Sequence, residues 1–403
     1  MQSEHDSSRR LRICHVITRM IVGGAQENTL LTVRGLMDLG HDVVLLTGPT
    51  RGPEGKLLEK SSVPGLRTVA EPQLVRELAP VRDLLAYRAL RRYFRRHRFD
   101  VVHTHSSKAG VLGRIAASRA GCPAIFHTVH GQAFHPYERG WRNWLYRQAE
   151  HVAAKRCDHI FAVAQAMIDQ CVSAKIAPAA KYSVAYSGME LSAYDDPAPD
   201  QELRSALGIP PDALVVGKIA RLFELKGHEY LLAAAPAIVN EFPDVRFLLV
   251  GDGMLRAALA AEVAARGLTK HFVFAGLVPP DHIPRYLSLM HVLVHLSLRE
   301  GLPRTVVQAL ASRKPAVAFA LDGTPEVLKD GQTGFICPPQ NTAAVEDAVR
   351  RLLRNPELRR EMGARGHAFV KTRFDWRQMV AQLEAKYRQV LADKQEVRNA
   401  ASR

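Results

Sequence analysis

Cysteine is scarce in this 403-residue chain and poorly spaced for chemistry. Five are scattered, at Cys14, Cys122, Cys157, Cys171 and Cys337, with no C-x-x-C pair. That argues against a disulfide framework and a zinc site, and fits reduced thiols in a cytoplasm. Long apolar runs are missing too. The longest are strand-sized, short of the roughly 18 residues a membrane helix needs. The opening MQSEHDSSRRLRICHVIT is polar before it is apolar and lacks the h-region of a secretory signal. Acidic residues are few, 40 against 55 Lys and Arg, which leaves a net charge of +15. Such a surplus implies an anionic partner: nucleic acid, a phospholipid surface or a phosphorylated small molecule. No C2H2 spacing, RNP-like aromatic motif or basic tail is present, so nucleic acid is not the expected one.

Hydrophobic residues make up 47% of the chain, enough for sizeable cores, and the length favours two domains. One rhythm runs through the first half. Short β-rich runs stand at Leu11–Thr18, His41–Gly48, Phe99–His105 and Pro123–His130, followed by DHIFAVA and KYSVAYSG. Helical stretches such as Lys108–Ala120 and Trp141–Arg156 separate many of them. Near-continuous apolar strands alternating with helices predict a parallel sheet covered on both faces. After Gly188, MELSAYDDPAPDQELRSALGIPPDA reads as a linker. The rhythm then restarts with LVVGKIAR, VRFLLVGDG, HFVFAG, HVLVHLS and PAVAFA, with helices near Gly227–Asn240, near Met254–Arg266 and from Pro303. The stretch Thr342–Val397 is helical by pattern. The expectation is two doubly wound α/β domains with a cleft between them.

Ligands in such sheets bind beyond the carboxyl ends of the strands. VGGAQ places Gly23 and Gly24 after the first strand, where backbone N–H groups can approach a phosphate. It is not G-x-G-x-x-G, which argues against a nicotinamide site. His103 and His105 share one strand face; His103 is expected to pack, and His105 sits nearer the exposed end. Lys108, near a helix start, suits either solvent or an anionic acceptor. His130 precedes Gly131 at a strand end, where a substrate can come close. Arg221 and Lys226 bracket the loop RLFELKG and can converge on a diphosphate. Glu300 follows a buried strand and is poorly explained by packing. Gly301 and Leu302 come next, and Pro303 suits a first helical position.

The set GKIARLFELKG, REGLPRTVVQAL and GTPEVLKDGQTGFICPP resembles the successive signatures of glycosyltransferase family 4. HTHSSKAGVLGRIAA and HTVHGQAFHP resemble the first half of bacterial members that build surface polysaccharides. The likeness runs from about Leu11 to Phe374. It implies the GT-B arrangement, two Rossmann-like domains facing a central cleft. Residues 1–192 would bind the acceptor and 193–375 the nucleotide sugar, and the 376–403 helix would pack back towards the first domain. It implies retention of configuration, with no metal and no cofactor; the nucleotide sugar is a substrate. Glu300 would hold the donor sugar, Arg221 and Lys226 the leaving diphosphate, and Gly301, Leu302 and Pro303 the phosphate and sugar. His130 would sit over the sugar, and Gly23 and Gly24 would form a loop closing on the reaction. The departure is Gln308, where the pattern usually has a second glutamate on the ribose. An amide inside the following helix can still face the nucleotide.

The resulting expectation is a cytoplasmic hexosyltransferase whose partners are a nucleotide-sugar donor and a saccharide or lipid-linked acceptor. A nucleotide-sugar epimerase, a catalytically silent sugar-nucleotide binder and a nucleic-acid-binding protein are the alternatives. YRALRRYFRRHRF carries arginines at 88, 91, 92, 95, 96 and 98, and Trp141 and Trp144 lie three apart. They suit either peripheral attachment to an anionic inner membrane face or, respectively, a solvated helix face and a core.

Overall fold

The computed structural model describes residues 9–50, 55–61, 63–195 and 198–402. The polar opening Met1–Ser8 lies outside them. The chain divides into two compact units, Met1–Met189 together with Trp376–Arg403, and Glu190–Asp375.

The first unit is built on seven parallel strands: β1 Arg12–Ile17, β2 Asp42–Thr47, β3 Arg67–Ala70, β4 Val101–His105, β5 Ala124–Val129, β6 His159–Ala162 and β7 Tyr182–Val184. Their order is β3-β2-β1-β4-β5-β6-β7. Every residue of β4, β5 and β6 is buried, which is why these strands read as apolar runs with no alternation. β3 is short and mostly exposed at the sheet edge, and it carried no strand signal.

One face of this sheet packs on the C-terminal helix, Trp376–Ala401. Its Trp376, Met379, Val380, Leu383 and Tyr387 join Ile13, Ile17, Leu45, Val101, Phe126 and Phe161 in one core. Gly188 meets this helix where it begins: a Cβ on Gly188 would stand 2.4 Å from the Trp376 Cα.

The second unit holds β8 Val215–Ile219, β9 Arg246–Val250, β10 Phe272–Gly276, β11 Val292–His295, β12 Ala316–Phe319 and β13 Gly334–Cys337. Their order is β10-β9-β8-β11-β12-β13, again all parallel. The stretch read as a linker contains a helix, Gln201–Ala206, opened by the Asp200 carboxylate accepting from the Leu203 N–H at 2.9 Å. Its aspartate was the start signal. The helical 342–397 stretch resolves into Thr342–Arg354, Pro356–Arg373 and the C-terminal helix.

Both sheets reverse direction once, between β1 and β4 and between β8 and β11. At such a switch point the flanking loops diverge and leave a crevice at the strand ends. His105 closes β4, Arg221 lies just past β8 and Glu300 just past β11, so the sequence candidates gather at these two places.

Candidate active site

In the second unit, Lys226 Nζ donates to Glu300 Oε1 at 2.5 Å, joining the loop after β8 to the loop after β11. His295 Nε2 stands 3.6 Å from the same oxygen, and the His295 Nδ1 lies 3.2 Å from the Thr305 hydroxyl. Burial pushes the Glu300 carboxyl up, but Lys226 and His295 outweigh it and hold it down at about 2. Glu300 is therefore ionised across the neutral range. Its N–H donates to Asp322 Oδ2 at 2.7 Å, and the Gly323 N–H donates to the Gly301 carbonyl at 3.2 Å. These bonds fix the carboxylate through the loop that follows β12.

Gly301, Leu302 and Pro303 are buried. Pro303 does not open the helix Arg304–Ala311 from inside but stands just before it, with ψ at 84°. Its carbonyl accepts from the Val306 N–H at 3.0 Å, which a cap residue can do without a helical ψ. Arg221 is exposed and lies over the Phe223 ring at 5.0 Å. Its carbonyl accepts from His228 Nε2 at 3.0 Å. Lys226 does not simply converge with Arg221, because its ammonium is held by Glu300.

Gly227 has φ of +65°, and a Cβ there would come within 1.8 Å of the Leu296 carbonyl. Only glycine lets the loop turn against the end of β11. Gly227→Ala is therefore expected to destabilise the fold by about 1–3 kcal/mol, the scale of local backbone strain. A lowered urea midpoint with unchanged slope checks this.

Gln308 was expected to face the nucleotide. It is buried, and its Nε2 donates to the Tyr194 hydroxyl at 2.9 Å. Tyr194 comes from the supposed linker, a contact no local pattern announces. Sequence reasoning also missed Lys218, His228, His295 and Asp322. Lys218 is buried on β8, and burial lowers its ammonium to about 7, against the opposing pull of Glu229. A lysine inside an otherwise apolar strand was the available signal.

In the first unit, His105 is not the exposed member of its pair. It is as buried as His103, held between His15 of β1 and His130 just past β5. His103 pairs with the Tyr387 hydroxyl through Nδ1 and with Thr128 Oγ1 at 2.7 Å through Nε2. His105 Nε2 lies 2.8 Å from His15 Nδ1, and His105 Nδ1 lies 3.0 Å from His130 Nε2. Among the described residues, His15, His103 and His105 form the one group with metal-ligand potential, their ligand atoms lying within 4.8 Å of one another. The ring nitrogens of His103 and His105 are already hydrogen-bonded, so the arrangement reads as a bonded cluster. Lys108 is tied to Asp83 Oδ1 at 2.6 Å and to the Glu77 carbonyl, which links its helix to Pro80–His97. Gly23 caps the helix Gly24–Asp38, so Gly24 is its first residue.

The chain is matched by two families in succession: "Glycosyl transferase 4-like domain" over residues 23–188 and "Glycosyl transferases group 1" over residues 199–369. It belongs to glycosyltransferase family 4, the group 1 glycosyltransferases. It is a retaining enzyme with the GT-B fold that moves a sugar from a nucleotide sugar to an acceptor.

Among relatives is the UDP-Gal:alpha-D-GlcNAc-diphosphoundecaprenol alpha-1,3-galactosyltransferase of Escherichia coli, 29% identical over 83% of this chain and 85% of that protein. The D-inositol 3-phosphate glycosyltransferase of Acidothermus cellulolyticus is 28% identical over 92% of this chain and 87% of its own. The fold matches a sucrose-phosphate synthase from Thermosynechococcus elongatus with a TM-score of 0.81 at 22% identity, over 95% of this chain and 100% of that one. Anabaena HepE in complex with UDP and glucose matches with a TM-score of 0.78 at 21% identity, over 94% and 99%.

Proposed function

We propose that this enzyme takes a UDP-sugar and glycosylates a lipid-linked saccharide at an anionic membrane surface. The supporting observation is that two helices of the first unit, Pro80–His97 and Gly140–Ala154, expose basic and apolar side chains. On Pro80–His97, Ala86, Leu90 and Phe94 face inward, while Arg88, Arg91, Arg92, Arg95 and Arg96 are exposed. The start of the same helix exposes Val81, Leu84 and Leu85. On Gly140–Ala154, Trp141 and Trp144 are 59% and 64% exposed. Two open tryptophans one helical turn apart are uncommon on a surface that meets only water. Tryptophan favours the headgroup boundary, and each nearby arginine adds about 1 kcal/mol of attraction to anionic lipid. Among the described residues no helix is long and apolar enough to cross a membrane. Contact through these helices is therefore interfacial.

The donor belongs to the second unit in this proposal, and the acceptor to the first. Arg221 and Lys226 neutralise the departing diphosphate, and Glu300 accepts from sugar hydroxyls. Gly301, Leu302 and Pro303 shape the phosphate and sugar site. His130 contacts the sugar, and Gly23 and Gly24 line its approach. Lys108 and His105 are bound to Asp83 and to imidazoles, so they support the site from behind. Cleavage builds positive charge on the sugar and negative charge on the diphosphate; fixed cations favour that state over the ground state. With acceptor and leaving group on one face, a departing phosphate oxygen takes the acceptor proton, which needs one carboxylate and not the pair of a glycosidase.

UDP release should be measured from UDP-galactose, UDP-glucose and UDP-N-acetylglucosamine, with and without polyprenyl-diphosphate saccharides in anionic vesicles. Release that depends on the lipid-linked acceptor is the expected result. Flotation should show binding that rises with anionic lipid and falls with salt, and Trp141→Ser/Trp144→Ser should weaken it severalfold. Equal failure to bind neutral and anionic vesicles defeats the membrane assignment.

A further inference from the structure

The imidazoles of the first unit form a chain from the core to the end of the sheet. His15 lies in mid-strand on β1, with Leu45 and His103 as its register neighbours. His15 and His105 stack at 5.1 Å between centroids, and His105 and His130 at 5.3 Å. His103 lies flat against His105 at 4.4 Å and is anchored by Tyr387 and Thr128, so the His105 ring cannot turn freely. His15 Nε2 is buried and has no hydrogen-bond partner among the described residues.

That orphan decides the polarity of the whole chain. Burial, reinforced for His103 and His105 by neighbouring imidazoles, lowers the rings of His15, His103 and His105 far below their usual range. The titratable groups around His105 are His15, His103, His127 and His130, with Tyr387 behind His103. None is an acid that would favour an imidazolium. Each ring is then neutral and carries one N–H. If His15 accepted at Nδ1, its proton would sit on Nε2, a buried donor facing no acceptor. If it donates from Nδ1, only a lone pair goes unmet. Buried N–H groups without partners are the rarer and costlier case. So His15 Nδ1–H donates to His105 Nε2, and His105 Nδ1–H donates to His130 Nε2.

We propose that His15 and His105 are positioning residues that fix the tautomer of His130, with Nε2 occupied as an acceptor and the proton on Nδ1. His130 then offers the reacting sugar a hydrogen-bond donor, not a base. The functional half of this proposal rests on the assignment of His130 to the sugar. The hydrogen-bond half does not.

The two halves are tested separately on the full chain. With 15N-labelled histidines, long-range proton–nitrogen correlation spectra at neutral pH should show the Nδ1–H tautomer at His15, His105 and His130. An Nε2–H tautomer at His130 overturns the proposal. In UDP release from the UDP-sugar used above, His15→Leu should lower kcat on the order of tenfold to a hundredfold, the scale of a misplaced contact. Donor KM should change little. His15→Asn, whose amide nitrogen stands where Nδ1 was, should restore most of kcat. Wild-type kcat in His15→Leu, or equal loss in His15→Asn, defeats the positioning role. Wild-type turnover in His130→Ala defeats the functional half and leaves the spectra to judge the chain of bonds.

Discussion

Glu300→Gln is expected to lower turnover about 100- to 1000-fold, the scale of losing one preorganised transition-state interaction. The substitution keeps the shape and removes the charge. In the wild type the carboxyl sits at about 2, so a neutral side chain is not a state the enzyme visits near neutral pH. Gln at this place also leaves Lys226 facing a neutral amide oxygen where it had a carboxylate at 2.5 Å. Two changes therefore act together: sugar hydroxyls lose an acceptor-only group, and the ammonium is held less tightly and can turn to phosphate. The expected signature is a low kcat with a donor Kd that is unchanged or tighter. Steady-state kinetics with calorimetry on UDP checks both, and normal turnover removes Glu300 from the reaction. Gln308→Glu is the companion variant. Its amide now donates to the Tyr194 hydroxyl, which a carboxylate can replace only by accepting. With that side chain turned to Tyr194, Gln308→Glu should leave turnover and donor Kd close to wild type.

Arg221→Ala is expected to weaken UDP binding by about tenfold to a hundredfold, since a charge-assisted bond contributes roughly 1.5–3 kcal/mol. Lys226→Ala should cost less affinity. Its ammonium must give up part of its bond to Glu300 when it meets a phosphate, and that exchange offsets the gain. The ordering, Arg221 ahead of Lys226, is the decisive observation in calorimetry. Unchanged UDP affinity in both variants excludes the loop from the donor site.

Much of this was legible in the chain, for local reasons. Buried parallel strands are near-continuous apolar runs, so most of both sheets could be read. Glu300 stood out because a carboxylate after such a run has no packing role. The failures share a cause. Lys226 was visible as a cation, but its pairing with Glu300 follows from β8 lying beside β11, with two strands of sequence between them. Gln308 was expected to face the nucleotide because Tyr194, its partner, lies 114 residues away in a stretch that resembled a linker. His105 looked exposed because the end of a strand is exposed only if neighbouring loops leave it so. β3, four residues long and mostly open to solvent, had no pattern to find.

The return of the last helix to the first unit has a consequence during synthesis. The second unit is one uninterrupted segment, Glu190–Asp375, and can close as soon as it has left the ribosome. The first unit cannot. Its sheet is translated by Met189, but the residues that cover one face begin at Trp376, 376 − 189 = 187 positions later. At roughly 5–20 residues per second that is about 10–40 seconds during which Ile13, Phe126 and Phe161 lack their cover. The nascent chain carries an open apolar sheet for that interval, and a chaperone has a defined window in which to shield it. A message truncated just after Asp375 releases a sound second unit attached to a first one that never closes.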